Sequence, residues 1–246
     1  MSEKTLIGRK EHADPRLNLY VFPHSGGMPG MYLQWKRLLP KVNVFGAQYP
    51  GRGSRISEPS LESIPEIVDD CLRGEQFEAP YILMGHSLGA IVAYEVSVRL
   101  APTQKPLALI VSAMSSPEFR VIEAGADTMA EAQLIDEIAK MNPTIRADLE
   151  AAPELKDIFL RTLRADMTAA DRYRQTPRAP LDVPIVFLGG KSDAIPEQER
   201  EGWRAYSASS FESYLFEGGH FYFNEDRAAF FAKLNEVIDN LCARGD

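Results

Sequence analysis

The 246-residue chain is short of several things, and each shortage excludes a class of protein. Its two cysteines, Cys71 and Cys242, lie far apart, with no Cys-x-x-Cys spacing and no histidine beside either. A disulfide framework and a thiolate zinc site are therefore set aside in favour of two reduced thiols. Positive charge is in deficit: 27 Lys and Arg face 35 Asp and Glu, a formal net charge of -8. Phosphate neutralisation needs a basic face, so nucleic acid is excluded as the main partner. No apolar run approaches a membrane span, and residues 1–11 lack the apolar core of a signal peptide, so no membrane is expected and the expected location is cytoplasmic. Repeats and low-complexity tracts are missing as well. Histidine is scarce, with only His12, His24, His86 and His220 to choose from.

What is present is a soluble, globular composition long enough for one large α/β domain, or one domain with a subdomain. Its centre is the stretch from Pro80 to Glu95. Tyr81-Ile82-Leu83-Met84 is a continuous apolar run of strand length, while the residues from Leu88 to Leu100 recur at helical spacing. The period changes across Gly85-His86-Ser87-Leu88-Gly89. Glycines two before and two after Ser87 relieve the crowding of a sharp strand-to-helix turn, which lifts the serine hydroxyl clear at the head of a helix. That is the pattern of a nucleophile elbow.

Around it, strands are predicted over 17–22, 42–48, 107–114, 183–188 and 211–216, and helices over 31–39, 63–77 and 225–242. Continuous apolar strands alternating with helices imply an α/β fold with a mostly parallel sheet covered on both faces. Loops at the carboxyl ends of its strands then form the site. Between residues 115 and 180 no strand is expected, and helices are predicted over 129–141, 145–150 and 155–174. This reads as a helical lid subdomain (115–180) inserted into a core made of 1–114 and 181–246. Arg161, Arg164, Arg172, Arg174 and Arg178 lie on or near its last helix, interleaved with Asp157, Asp166 and Asp171, so a solvated face is the simplest reading.

A serine hydroxyl needs a base, and in a strand-turn-helix hydrolase the partners follow in the order serine, acid, histidine. Only His220 follows Ser87, in Glu217-Gly218-Gly219-His220-Phe221 just past the last strand. The orienting acid expected is Asp193, just past the strand that ends in Phe187-Leu188-Gly189-Gly190. Asp182 precedes that strand, Asp166 lies in the insertion, and Asp226 suits a helix start. Two backbone donors should hold the oxyanion: the N–H of Leu88, and one from Ser25-Gly26-Gly27, with Ser25 the first choice. In Tyr49-Pro50-Gly51-Arg52-Gly53-Ser54-Arg55, Arg52 and Arg55 are read as holding a neighbouring loop in preference to binding phosphate.

Taken together, Phe22-Pro23-His24-Ser25-Gly26-Gly27, Tyr49-Pro50-Gly51-Arg52-Gly53, Gly85-His86-Ser87-Leu88-Gly89-Ala90, Leu163-Arg164-Ala165-Asp166, Gly189-Gly190 with Asp193, and Gly218-Gly219-His220-Phe221 resemble the stand-alone type II thioesterases of polyketide and nonribosomal peptide synthesis. The resemblance spans nearly the whole chain. It implies an α/β-hydrolase fold with a mobile helical lid, and hydrolysis of acyl groups from the phosphopantetheine arm of acyl or peptidyl carrier proteins, clearing stalled or misprimed assembly lines. It assigns Ser87, Asp193 and His220 the roles already read from position. Neither metal nor cofactor is implied beyond the phosphopantetheine of the partner. The rival readings are a medium-chain fatty acyl thioesterase, a general carboxylesterase, and a non-catalytic binding module of the same fold. An acidic carrier protein meeting an acidic enzyme would need a local basic surface such as the arginine-bearing helix.

Overall fold

The computed structural model describes residues 5–74, 77–119 and 125–244. Seven strands form one sheet: β1 (Leu6–Gly8), β2 (Leu17–Phe22), β3 (Val42–Ala47), β4 (Tyr81–His86), β5 (Ala108–Ser112), β6 (Ile185–Gly190) and β7 (Phe211–Phe216). Their order across the sheet is β1-β3-β2-β4-β5-β6-β7, all parallel except β1, which runs antiparallel to β3. The helices are α1 (Gly30–Leu33), α2 (Ile64–Leu72), α3 (Leu88–Leu100), α4 (Glu131–Met141), α5 (Ile145–Ala151), α6 (Pro153–Arg172), α7 (Glu197–Glu201), α8 (Tyr222–Glu225) and α9 (Arg227–Arg244).

Every residue of β2, β4, β5 and β6 is buried, as expected where both faces of a parallel sheet are covered. The two-residue period of a strand then sorts the side chains. Tyr81, Leu83, Leu109, Val111, Ile185 and Phe187 face a core closed by α2 and α3. Ile82, Met84, Ile110, Val186 and Leu188 face the opposite core, closed by Trp35 and by Phe230, Leu234 and Ile238 of α9. Helices α4, α5 and the first half of α6 make a third, smaller cluster of Leu134, Ile138, Ile145, Leu160 and Leu163. Residues 120–124 of the predicted insertion lie outside the described residues, as do residues 1–4.

Several expected boundaries shift, each for a local reason. The predicted helix over 31–39 is the single turn α1 followed by a 3-10 turn, Gln34–Arg37. The segment is squeezed between Pro29 and Pro40, and a residue before proline disfavours helix. The predicted helix over 63–77 begins under a Ser63 cap, whose Oγ accepts the Glu66 N–H, and stops at Leu72, before Arg73-Gly74; Glu75 and Gln76 lie outside the described residues. The last helix starts at Arg227 instead of Glu225, and Asp226 sits immediately before it, accepting the Glu217 N–H. Strand β1 lay unread in the polar N-terminal arm, being too short to show a period.

Candidate active site

Ser87 stands between the end of β4 and the start of α3 at φ 55°, ψ -126°. A non-glycine residue holds such angles only where its surroundings over-determine them. The surroundings here are two backbone crossings. A Cβ on Gly85 would overlap the carbonyl oxygen of Gly89, and one on Gly89 would overlap the carbonyl oxygen of Phe22. The turn is also tied to the next strand, because the Ser87 N–H donates to the carbonyl of Ser112 at 2.8 Å. Glycines at both flanks are thus a packing requirement, and the serine side chain, unlike the buried residues on either side, stays partly exposed.

The loops after β6 and β7 set the next pair. They are stitched together by Lys191 N–H to the Phe216 carbonyl and Ser192 N–H to the Gly218 carbonyl, both at 2.9 Å. That register brings His220 Nδ1 within 3.0 Å of Asp193 Oδ2, with both side chains buried. His220 also lies against the elbow: its ring centroid is 5.0 Å from that of His86, the residue before Ser87. Asp182, in contrast, pairs with Lys105 on an exposed surface away from these loops.

Three histidine rings crowd this end of the sheet, and their surroundings differ. His86 Nδ1 bonds Ser112 Oγ at 2.9 Å, which bonds the Tyr222 hydroxyl at 2.7 Å. Burial, with the neighbouring His220 and His24, holds its imidazole well below the usual histidine range. His24 Nδ1 bonds the Tyr32 hydroxyl at 2.7 Å, and burial, aided by His220 and Arg52, pushes it down to about 3. Both are therefore neutral at physiological pH. Of the three, His220 is the one beside a carboxylate, the arrangement that fixes one tautomer and leaves Nε2 as an acceptor.

Around Ser25-Gly26-Gly27, two of the three N–H groups already have acceptors. Gly27 donates to the His24 carbonyl at 2.8 Å, and Gly26 donates to Asp166 Oδ2 at 2.7 Å. Leu88 heads α3, where the first N–H groups have no carbonyl within the helix. Arg52 does hold a loop, as read from sequence, but its partner is Asp166 of α6. Arg55 holds Asp70 and Glu58. Asp166, set aside as an acid because it lies in the insertion, is the polar residue that sequence reasoning missed.

The chain as a whole has counterparts among known proteins. The family model described as a thioesterase domain matches residues 17–241. The chain belongs to the thioesterase family. Among relatives of this thioesterase, PikA5 of Streptomyces venezuelae is 30% identical over 242 residues, covering 95% of this chain and 84% of that one. The gramicidin S biosynthesis protein GrsT of Aneurinibacillus migulanus is 28% identical over 97% of this chain and 93% of its own. Among solved structures, the type II thioesterase BorB from the borrelidin biosynthetic cluster is 30% identical, with a TM-score of 0.86 over 97% of this chain and 99% of that one. The expected resemblance to type II thioesterases and the α/β-hydrolase fold are both borne out, and the protein is a thioester-cleaving hydrolase. No helix among the described residues is long and apolar enough to cross a membrane.

Proposed function

We propose that this type II thioesterase clears acyl groups from the phosphopantetheine arm of acyl or peptidyl carrier proteins, using Ser87 as nucleophile, His220 as base and Asp193 as orienting acid. The observation that carries the reading is the 3.0 Å contact of His220 Nδ1 with the buried Asp193, held against an elbow whose serine is strained into exposure. Relatives named for gramicidin S biosynthesis and the borrelidin cluster support an assembly-line setting.

The cycle has two halves. His220 Nε2 takes the Ser87 proton as Oγ attacks the thioester carbonyl, and the negative charge that develops on oxygen is held by the Leu88 and Ser25 N–H groups. The C–S bond breaks, and the departing pantetheine sulfur takes the proton from His220. Water then attacks the acyl-serine with His220 again as base, which releases the acid and restores the hydroxyl. Asp193 keeps the imidazole in the tautomer that this needs and stabilises the imidazolium. Residues 115–180 act in this reading as a lid over the acyl chain. A cytoplasmic location is part of the proposal, since two cysteines outside any disulfide suit a reducing compartment.

The test is release of acetyl, propionyl and decanoyl groups from a phosphopantetheinylated carrier protein, with Ser87→Ala as blank. Release that vanishes in the blank supports the reading and ranks the acyl preference. Cleavage of free acyl thioesters or oxygen esters alone, with none from the carrier protein, would replace it by the fatty acyl thioesterase or carboxylesterase.

A further inference from the structure

Two of the motifs in the sequence, Tyr49-Pro50-Gly51-Arg52-Gly53 and Leu163-Arg164-Ala165-Asp166, have no part in the chemistry just described. They are nevertheless joined. Arg52 Nη1 and Nη2 donate to Asp166 Oδ2 and Oδ1, both at 2.7 Å, across 114 residues of chain. The side chains are 3% and 1% exposed. A buried bidentate pair is geometrically specific, and charge-assisted bonds of this length are the strong ones.

The pair also grips the glycine loop. Asp166 Oδ2 accepts the Gly26 N–H at 2.7 Å, while Arg52 Nη1 donates to the Gly27 carbonyl at 3.3 Å. Phe159, one face of α6 further back, lies close against Gly26, so that a Cβ there would meet its ring edge at 2.9 Å. A loop with two adjacent glycines has little internal reason to hold one conformation. Here one carboxylate oxygen fixes the Ser25-Gly26 peptide plane, and the Gly27 N–H closes on His24. Of the three N–H groups in the loop, the one without a bond to these acceptors is that of Ser25.

We propose that Asp166 is a positioning residue for the oxyanion-binding loop: carried on α6 and locked by Arg52, it fixes the Ser25-Gly26 peptide so that the Ser25 N–H stays aimed at the developing oxyanion. The inference rests on the reading that Ser25 is an oxyanion donor. Its consequence is mechanical. Helix α6 cannot leave the sheet as a unit without releasing the loop, so opening of the insertion belongs to α4, α5 and the first turns of α6. An insertion displaced further would switch catalysis off.

The decisive variant is Arg52→Met with Asp166→Leu. It removes both buried charges together, which spares the fold the cost of one left unpaired, yet it leaves the Gly26 N–H without its acceptor. Turnover of decanoyl-N-acetylcysteamine would be measured per active site, titrated to completion with a fluorophosphonate, beside the affinity for decanoyl trifluoromethyl ketone, which forms a tetrahedral adduct on Ser87. Expected is a fall in kcat per site of about 10- to 100-fold with KM nearly unchanged, and an equal loss of ketone affinity. Arg52→Lys, which keeps a positive charge beside Asp166 but trades the two-pronged lock for one flexible ammonium, should fall between the parent and the double variant in kcat per site and in ketone affinity. Parent-like turnover per site in the double variant would overturn the inference, as would a loss in either variant that falls on KM and leaves the ketone affinity unchanged. If Ser87→Ala retains turnover, the site reading falls and this inference with it; turnover lost in Ser87→Ala but unmoved in the double variant sinks the inference alone.

Discussion

In the sheet, Leu83, Ile110 and Val111 sit in strands with no exposed residue, whereas α4 and α5 bury only Leu134, Ile138 and Ile145. The two regions are also attached differently. Strands are joined by continuous ladders, while the insertion is held to the core through Ala169 and Tyr173 at the far end of α6 and a few polar contacts: Arg52 with Asp166, Arg172 with Glu62, and Tyr173 with Glu95. Helix α6 spans the two regimes, with Leu160 and Leu163 in the small cluster and Ala169 in the core against the sheet. The difference teaches where rigidity is kept. The groups assigned to bond-making hang from the sheet's carboxyl edge, and the groups proposed to shape the acyl pocket belong to the insertion, which under the proposed lid reading opens at lower cost.

The sharpest way to break that comparison is to look for chemistry outside the sheet. Ser87→Ala should remove turnover, and Asp193→Asn, which leaves His220 in place but favours the wrong tautomer, should cost about 10⁴-fold in kcat. If a substitution confined to α4 or α5 cost as much, the division of labour would be wrong. The next effect is on stability. Leu83→Ala opens a cavity in a fully buried strand and should cost about 3 to 4 kcal/mol of global unfolding free energy by urea titration. Leu163→Ala should instead raise native-state amide exchange in α4 and α5 while shifting a sheet-based unfolding midpoint by less than about 1 kcal/mol. Equal shifts in both would mean one cooperative unit.

A third effect separates the regions by acid. His24 and His86 lie at the sheet's edge and are held neutral in the fold, whereas residues 125–180 contain no histidine. A folded pKa below the unfolded value gives stability that is complete above the unfolded pKa and lost as pH falls beneath it. For His24 that window runs from about 6.5 down to about 3. Both groups make stability fall with acid, and His24→Gln should flatten that fall by roughly 1 kcal/mol per pH unit between pH 6 and 4. An unchanged slope would mean that His24 is protonated in the native protein.

Local signals account for what could be read ahead of the structure. Strand-length apolar runs give β4, β5 and β6, and the glycines flanking Ser87 mark the elbow because a side chain at either place would collide with backbone. His220 follows from scarcity and order. Asp166 could not be found that way. Its partners, Arg52 and Gly26, lie 114 and 140 residues away, and a carboxylate in an amphipathic helix looks like any solvated one. The only hint was that Leu163-Arg164-Ala165-Asp166 stood among the motifs shared with the family without a task of its own.

The arginines of the insertion make the same point on the smallest scale. Read as a row of charges, they suggested a docking face for an acidic carrier protein. In the fold, Arg164 donates to the carbonyls of Ala126 and Met129, Arg172 to Glu62 and Asp127, and Arg174 to the carbonyls of Asp171 and Tyr173. Arg178 pairs with Glu95. Replacing these residues perturbs the insertion itself, so a loss on doing so would not speak to docking. Arg161 is the exposed arginine on α6 to which no such role attaches. Single surface charges at an encounter face act mainly through association, with effects of about 1 kcal/mol or less. Arg161→Ala should therefore raise KM for an acyl-carrier protein by up to about fivefold at low salt, lose that effect at high salt, and leave a free acyl thioester unaffected. Arg164→Ala should impair both substrates alike, because it unpins the segment before α4. If Arg161→Ala slowed both equally, α6 would serve the acyl chain and not the carrier, and the functional line between core and insertion would have to be drawn elsewhere.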